Sequence, residues 1–186
     1  MKTLNNFVCS YAGIGTRDLT IGEHLVIGKV AKLLANMNVL LYSGNAPGSD
    51  QAFQKASNGK NIVFIPWDGF EQISFDYKKE SIGYYVMGNS PEGQKSIDQF
   101  HPAPMSLSRG ARSLMARNYH QIVGTGSYPT VSFVVCCADP KSNNEVAGGT
   151  GQAVRIANSM KIPVFNIRAD GWQPAFKDFC LKLNKG

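Results

Sequence analysis

Phe7-Val8-Cys9-Ser10-Tyr11-Ala12, broken by Gly13-Ile14-Gly15-Thr16-Arg17, is a short, nearly all-apolar run that ends in a glycine loop. Such a run, with no regular polar alternation, predicts a β-strand buried on both faces, as in a parallel sheet covered by helices. The next segment agrees. From Thr20 to Asn36 the residues Ile21, Leu25, Val26, Val30, Leu33 and Leu34 recur at helical spacing, with Thr20 placed as N-cap. Val39 to Ser43 predicts a second strand, Asp50 to Ser57 a helix closed by Asn58-Gly59, and Ile62 to Ile65 a third strand stopped by Pro66. Strand and helix alternating over short connections predict an α/β fold: a parallel sheet with helices on both faces.

The C-terminal part repeats the rhythm, with strand Val131 to Cys137, helix Thr150 to Met160, strand Val164 to Ile167 and a last helix over about Pro174 to Leu183. Between Trp67 and Ser108 the periodicity fails, and Gly, Pro, Tyr and Phe are frequent. This predicts an irregular insertion over about residues 68–107: a lid, an oligomer contact or a plain surface excursion with short helices. Tyr84-Tyr85, Phe100 and Met105 would line such a lid or, equally, a subunit interface. Helix resumes over Ser108 to Val123, where Leu114, Met115 and Ile122 form an apolar stripe that includes Asn118, an amide that needs partners if buried. Residues 1–186 then make one domain.

With 43% hydrophobic and 17% charged residues the chain is not disordered. Its 19 basic and 13 acidic side chains give +6, but no basic run exceeds Lys78-Lys79, so the sequence concentrates no positive face for nucleic acid. The cysteines, Cys9, Cys136, Cys137 and Cys180, include no CxxC pair, and the first three lie in apolar runs that suit reduced, buried thiols. The N-terminus has no apolar signal core and no 18 apolar residues are consecutive, so a cytoplasmic protein with no membrane partner is expected. His24, His101 and His120 have no metal-ligand spacing, and neither a metal nor a resident cofactor is expected.

Three loops carry the chemistry: Gly13, Gly15, Thr16 and Arg17; then Ser43, Gly44, Asn45, Gly48, Ser49 and Asp50; then Gly148, Gly149, Thr150, Gly151 and Gln152. Each follows a predicted strand and leads toward a helix, where unpaired N–H groups can cradle a phosphate. The first is not a dinucleotide fingerprint, because GxGxxG needs glycine where Asp18 stands, and no GxxxxGK[ST] occurs. Arg17 could pair with a phosphate or cap a turn, and Asp50 could hold a ribose hydroxyl or cap its helix. Trp67 could stack on a base or pack at the core edge.

In chain order, Ala12-Gly13-Ile14-Gly15-Thr16-Arg17, Ser43-Gly44-Asn45-Ala46-Pro47-Gly48-Ser49-Asp50-Gln51-Ala52, Ala116-Arg117-Asn118 and Gly148-Gly149-Thr150-Gly151-Gln152-Ala153 resemble the SLOG superfamily. That group joins the DprA/Smf DNA-processing proteins to the LOG (lysine-decarboxylase-like) nucleotide hydrolases. The second segment is close to the DprA signature S-G-x-A-x-G-x-D-x-x-A, and Arg117-Asn118 resembles part of its R-N-R. The resemblance covers residues 7–65 and 108–167 and implies a Rossmann-like fold, a nucleotide or nucleic-acid pocket at these loops, and a homo-oligomer. The departures matter. Tyr119 replaces the second arginine of R-N-R, and the glutamate that LOG hydrolases carry after their glycine loop is missing; Gln152 cannot act as acid or base. The nearest carboxylates, Asp139 and Glu145, precede that loop. The first expectation is therefore a binding protein, possessing no catalytic set, that captures or sequesters a nucleotide-derived ligand such as an ADP-ribose-related signalling nucleotide. In it Arg17 and the loop before Thr150 hold phosphate, while Asn118 and Gln152 read hydroxyls or a base edge. A DprA-like single-stranded DNA-binding recombination mediator and a LOG-like nucleotide N-glycosidase are the alternatives. From the length, the extra terminal domains common in DprA proteins are not expected.

Overall fold

The computed structural model describes residues 6–72, 81–141 and 145–183. In chain order they form β1 (Cys9–Gly15), α1 (Ile21–Asn36), β2 (Val39–Ser43), α2 (Ser49–Ala56), β3 (Asn61–Ile65), β4 (Gly83–Val86), α3 (Pro91–Phe100), α4 (Arg109–Val123), β5 (Phe133–Cys137), α5 (Thr150–Ser159), β6 (Val164–Asn166) and α6 (Trp172–Leu183). All six strands are parallel, in the order β4-β3-β2-β1-β5-β6.

Side chains alternate across a strand, so each apolar run feeds two layers. Ala12 and Ile14 of β1, Leu40 and Tyr42 of β2, and Val134 and Cys136 of β5 pack on one face with Ile122 of α4 and Val154 and Ala157 of α5. Tyr11, Leu41, Phe133 and Val135 pack on the other, against Ile27, Val30 and Leu34 of α1, Phe53 of α2 and Phe176 of α6. Thr20 caps α1 as expected: its Oγ1 accepts from the Glu23 N–H at 3.2 Å, and Glu23 Oε2 accepts from the Thr20 N–H at 2.8 Å. Cys136, Cys137 and Cys180 are buried free thiols, and burial pushes the first two up to about 12. No helix among the described residues is long and apolar enough to cross a membrane.

Two expectations change. The first strand does not break at Gly13; β1 runs through Gly15, with Gly13 opposite Val135 and Gly15 opposite Cys137. These glycines answer to space. A Cβ on Gly13 would stand 2.7 Å from Leu41 Cδ1 and Phe53 Cγ, and one on Gly15 would meet the Cys137 carbonyl and Ser49 Oγ. The stretch from Trp67 to Ser108 is also more ordered than its lack of periodicity suggests, for it supplies the edge strand β4 and helix α3. Its aromatic pair divides: Tyr85 packs on Phe64 and Tyr128, and its hydroxyl donates to that of Tyr128 at 3.2 Å. Met105 is exposed. Residues 73–80, within the same stretch, lie outside the described residues.

Candidate functional site

Chain order reverses at β1, with β2 hydrogen-bonded to one side of it and β5 to the other. In an open parallel sheet, loops at such a switch point diverge to opposite faces and leave a crevice beyond the carboxyl ends of the strands. A cleft of about 460 Å³ lies there, within the range of small-molecule sites. Of the sequence-expected residues, Gly15, Thr16, Arg17, Asp50, Arg117, Asn118, Gly148, Gly149 and Thr150 line it. The first and third loops, the start of α2 and the face of α4 thus converge.

The second loop supports this cleft more than it lines it. The Ser43 hydroxyl donates to the Gly13 carbonyl at 3.0 Å. The Ser49 N–H and Oγ both donate to the Thr16 carbonyl, at 3.0 and 2.9 Å. Gly48, at φ 82°, lies so close to the Thr16 and Arg17 backbone that a side chain has no room. Asn45 donates its amide to the Phe70 carbonyl at 3.3 Å. Gly44 lies under the Arg117 guanidinium, in the space a Cβ would take.

Arg117 and Asp50 form a buried ion pair at the cleft floor, Nη1 to Oδ2 at 3.2 Å, with side chains 5% and 4% exposed. Gln121 closes the group: its Oε1 accepts from Arg117 Nη1 at 3.0 Å, while the Ala46 N–H reaches Asp50 Oδ2 at 3.4 Å. Burial raises the Asp50 carboxyl and lowers the Arg117 guanidinium, and each charge partly offsets the other's desolvation. Arg117 Nε is buried without a hydrogen-bond partner. Phe70 lies beneath the guanidinium carbon, 5.8 Å from ring centroid to Cζ.

Opposite this floor is the start of α5. Its N-cap, Gly149, supplies no side-chain cap, and its first turn carries no acidic residue; the Gly151 N–H donates to the Gly148 carbonyl at 3.1 Å, and the remaining terminal N–H groups suit an anion. Gly148 precedes it at φ 69°. Asn118 finds the partner its burial requires, donating to the Gly149 carbonyl at 3.1 Å. Arg17 stands at the rim, its side chain 55% exposed and 3.8 Å from Glu71.

Gly151, Gln152 and Trp67 fall outside the cleft. On α5 Thr150 and Ala153 face it, and Gln152, two positions from Thr150, points to the other side of the helix. It is fully buried there, with Nε2 3.5 Å from the Ser96 hydroxyl of α3 and Oε1 unpartnered, so it reads no ligand in this arrangement. Trp67 stacks edge-on against Phe70 at 5.2 Å. Of the two carboxylates that precede the third loop, Asp139 lines the cleft, whereas Glu145 pairs with Arg155 at 2.6 Å outside it.

Sequence reading missed Asp18, Gln121, Ala138 and Ala147, and it named Leu114 and Met115 only as an apolar stripe and Asp139 only as a carboxylate before the third loop; all of these line the cleft. Asp18 stands next to Arg17, and Gln121 follows Arg117 by one helical turn, so spacing alone could have nominated both. Arg168, behind the wall, has no local signal.

No protein-family model matches this chain, and no curated protein matches it. Among solved structures it is similar to DNA processing protein A from Helicobacter pylori, a structure described for its single-stranded DNA binding mode. The two share 16% identity with a TM-score of 0.60, over 92% of this chain and 73% of the other. At that identity the likeness shows a shared fold.

Proposed function

We propose that this chain binds single-stranded DNA and takes one nucleotide unit in the cleft between the β1 and β5 loops. The observation that carries the reading is a nucleotide-sized cleft at the switch point of a fold shared with DNA processing protein A. The ordered motifs extend that likeness to the SLOG superfamily. A phosphate sits against the uncapped start of α5, and Arg17 adds charge from the rim. Asn118 and Thr150 offer polar contacts to sugar or base, and Leu114 and Met115 give the base an apolar wall. A homo-oligomer, as the resemblance implies, presents several such clefts to one strand.

A second reading, a free nucleotide-derived ligand such as an ADP-ribose-related one, is favoured by charge. The lining holds three carboxylates, Asp18, Asp50 and Asp139, against two guanidiniums, Arg17 and Arg117. That balance suits one small ligand better than a run of phosphates. Fluorescence anisotropy with a labelled oligonucleotide of about fifteen residues, competed with ADP-ribose and AMP, separates the two. We expect saturable oligonucleotide binding, weakened several-fold by Arg17→Ala. Calorimetric binding of ADP-ribose without oligonucleotide binding selects the second reading, and no binding of either overturns both.

A further inference from the structure

Arg168 follows β6 and is absent from the cleft lining, yet it holds two residues of that lining. Its Nη1 donates to Asp139 Oδ1 at 2.8 Å and its Nη2 to the Asp18 carbonyl at 3.0 Å. The same guanidinium grips Glu23 of α1 through Nε to Oε1 at 2.6 Å and Nη2 to Oε2 at 3.1 Å. Asp18 in turn donates its N–H to Thr16 Oγ1 at 3.1 Å. One side chain therefore ties the β1 loop, the β5 loop and the first turn of α1 together behind the cleft.

The charges give this grip a consequence for an anionic ligand. Asp50 is matched within the floor by Arg117. Among the described residues Asp139 has its match in Arg168, with Asp139 72% and Arg168 21% exposed. Without Arg168 the mouth of the cleft keeps Asp18, Asp139 and, behind them, Glu23, opposed among the described lining residues by Arg17.

We infer that Arg168 is a positioning residue for anion binding: it holds the Asp18 and Asp139 loops in place and neutralises Asp139, so that a nucleotide phosphate can enter beside α5. The inference rests on the nucleotide-binding reading above, whether the nucleotide is free or part of a strand. It separates geometry from charge. Replacing Arg168 with glutamine removes both contributions, while a further Asp139→Asn removes the repulsion without rebuilding the grip.

The test measures the affinity of the labelled oligonucleotide and of ADP-ribose for wild type, Arg168→Gln, Arg168→Gln/Asp139→Asn and Arg168→Lys. Circular dichroism and thermal melts accompany each variant. Arg168→Gln is expected to bind either probe about three- to tenfold more weakly, with a shallower salt dependence, because salt screens the repulsion from the unmasked Asp139. Asp139→Asn in that background recovers most of the loss, and Arg168→Lys recovers part of it. A folded Arg168→Gln protein with wild-type affinity overturns the inference, and a loss that Asp139→Asn leaves unrepaired overturns its charge half, leaving only the grip on the two loops. If Arg168→Gln unfolds because Glu23 is stranded, the same comparison is made in Glu23→Gln/Arg168→Gln, with the same outcomes deciding. Wild-type protein that binds neither probe removes the nucleotide reading and this inference with it; wild-type binding unaltered in the variants removes this inference alone.

Discussion

His120 shows how a single side chain in α4 can be essential to packing and absent from the site. It is 4% exposed, with Nε2 2.6 Å from the Ser90 hydroxyl and Nδ1 2.7 Å from the Gly124 carbonyl. The carbonyl can only accept, so Nδ1 carries the proton and Nε2 accepts from Ser90. Both nitrogens are satisfied by a neutral ring. Burial lowers the imidazole below its ordinary value, so between the folded and unfolded values the unfolded chain binds the extra proton. Stability is then fully present above the unfolded value of about 6.5 and falls as pH drops through it. Urea denaturation from neutral pH down to about pH 5 is expected to show this loss in wild type and a much shallower one in His120→Gln. Equal slopes would mean that the ring is free to protonate in place. The Asp50–Arg117 pair belongs to the same scale. Arg117 and Asn118 stand out in sequence as a motif, but Asp50 reads equally as a helix cap, because its partner is 67 residues away. Arg168 is the harder case, bonded to Glu23 across 145 residues and to Asp139 across 29, with nothing around it in the chain to announce either.

Elements were legible where their buried face was apolar. In α1 the buried positions are Ile27, Val30, Ala31, Leu34 and Ala35, a helical stripe rotated from the one the sequence suggests, which shares Val30 and Leu34 with it but leaves Ile21, Leu25 and Leu33 exposed; the capping box marks its start. Helix α3 buries Gly93, Ser96 and Ile97, so its inward face carries a single apolar side chain and gives no stripe to detect. What makes it a helix is Ser90, whose hydroxyl accepts from the Gly93 N–H at 3.1 Å, followed by Pro91 in the first turn. What fixes its place is close approach: a Cβ on Gly93 would stand 2.6 Å from the Ala116 carbonyl of α4. Strand β4 is only four residues long and mostly half-buried at the sheet edge. The missed elements are thus those held by small residues and backbone contact. If α3 is integral to the domain, Ile97→Ala should cost about 2–4 kcal/mol, as for a core aliphatic residue. It should lower the single cooperative transition seen by circular dichroism and by tryptophan fluorescence alike. A separate early transition, with the main one unmoved, would make the stretch an appendage.

At the scale of the whole molecule, the net charge of +6 says less than where the charge sits. Position β1 between β2 and β5, and the glycine loops that follow β1 and β5 must open on opposite sides of one crevice. The sequence pattern made this legible by its strand–helix rhythm, whereas the crevice's electrical balance depends on pairings that only the fold creates. Arg117 is matched by Asp50 and Arg168 by Glu23 and Asp139, which leaves Arg17 as the cleft's exposed cation among the described residues, itself 3.8 Å from Glu71. Counterion release scales with the number of phosphates neutralised, at about 0.7 per phosphate for single strands. A strand held chiefly at this cleft, by Arg17 and the start of α5, should therefore show a shallow dependence of log affinity on log salt, a slope of about −1 to −2. A protein that tracks a backbone along a basic groove would reach about −4 or steeper. Anisotropy titrations at several NaCl concentrations measure the slope directly, and Arg17→Ala should reduce it by about 0.7. A steep slope unchanged by Arg17→Ala would move the nucleic-acid surface away from the cleft, because the phosphates would then be meeting cations that the cleft does not contain.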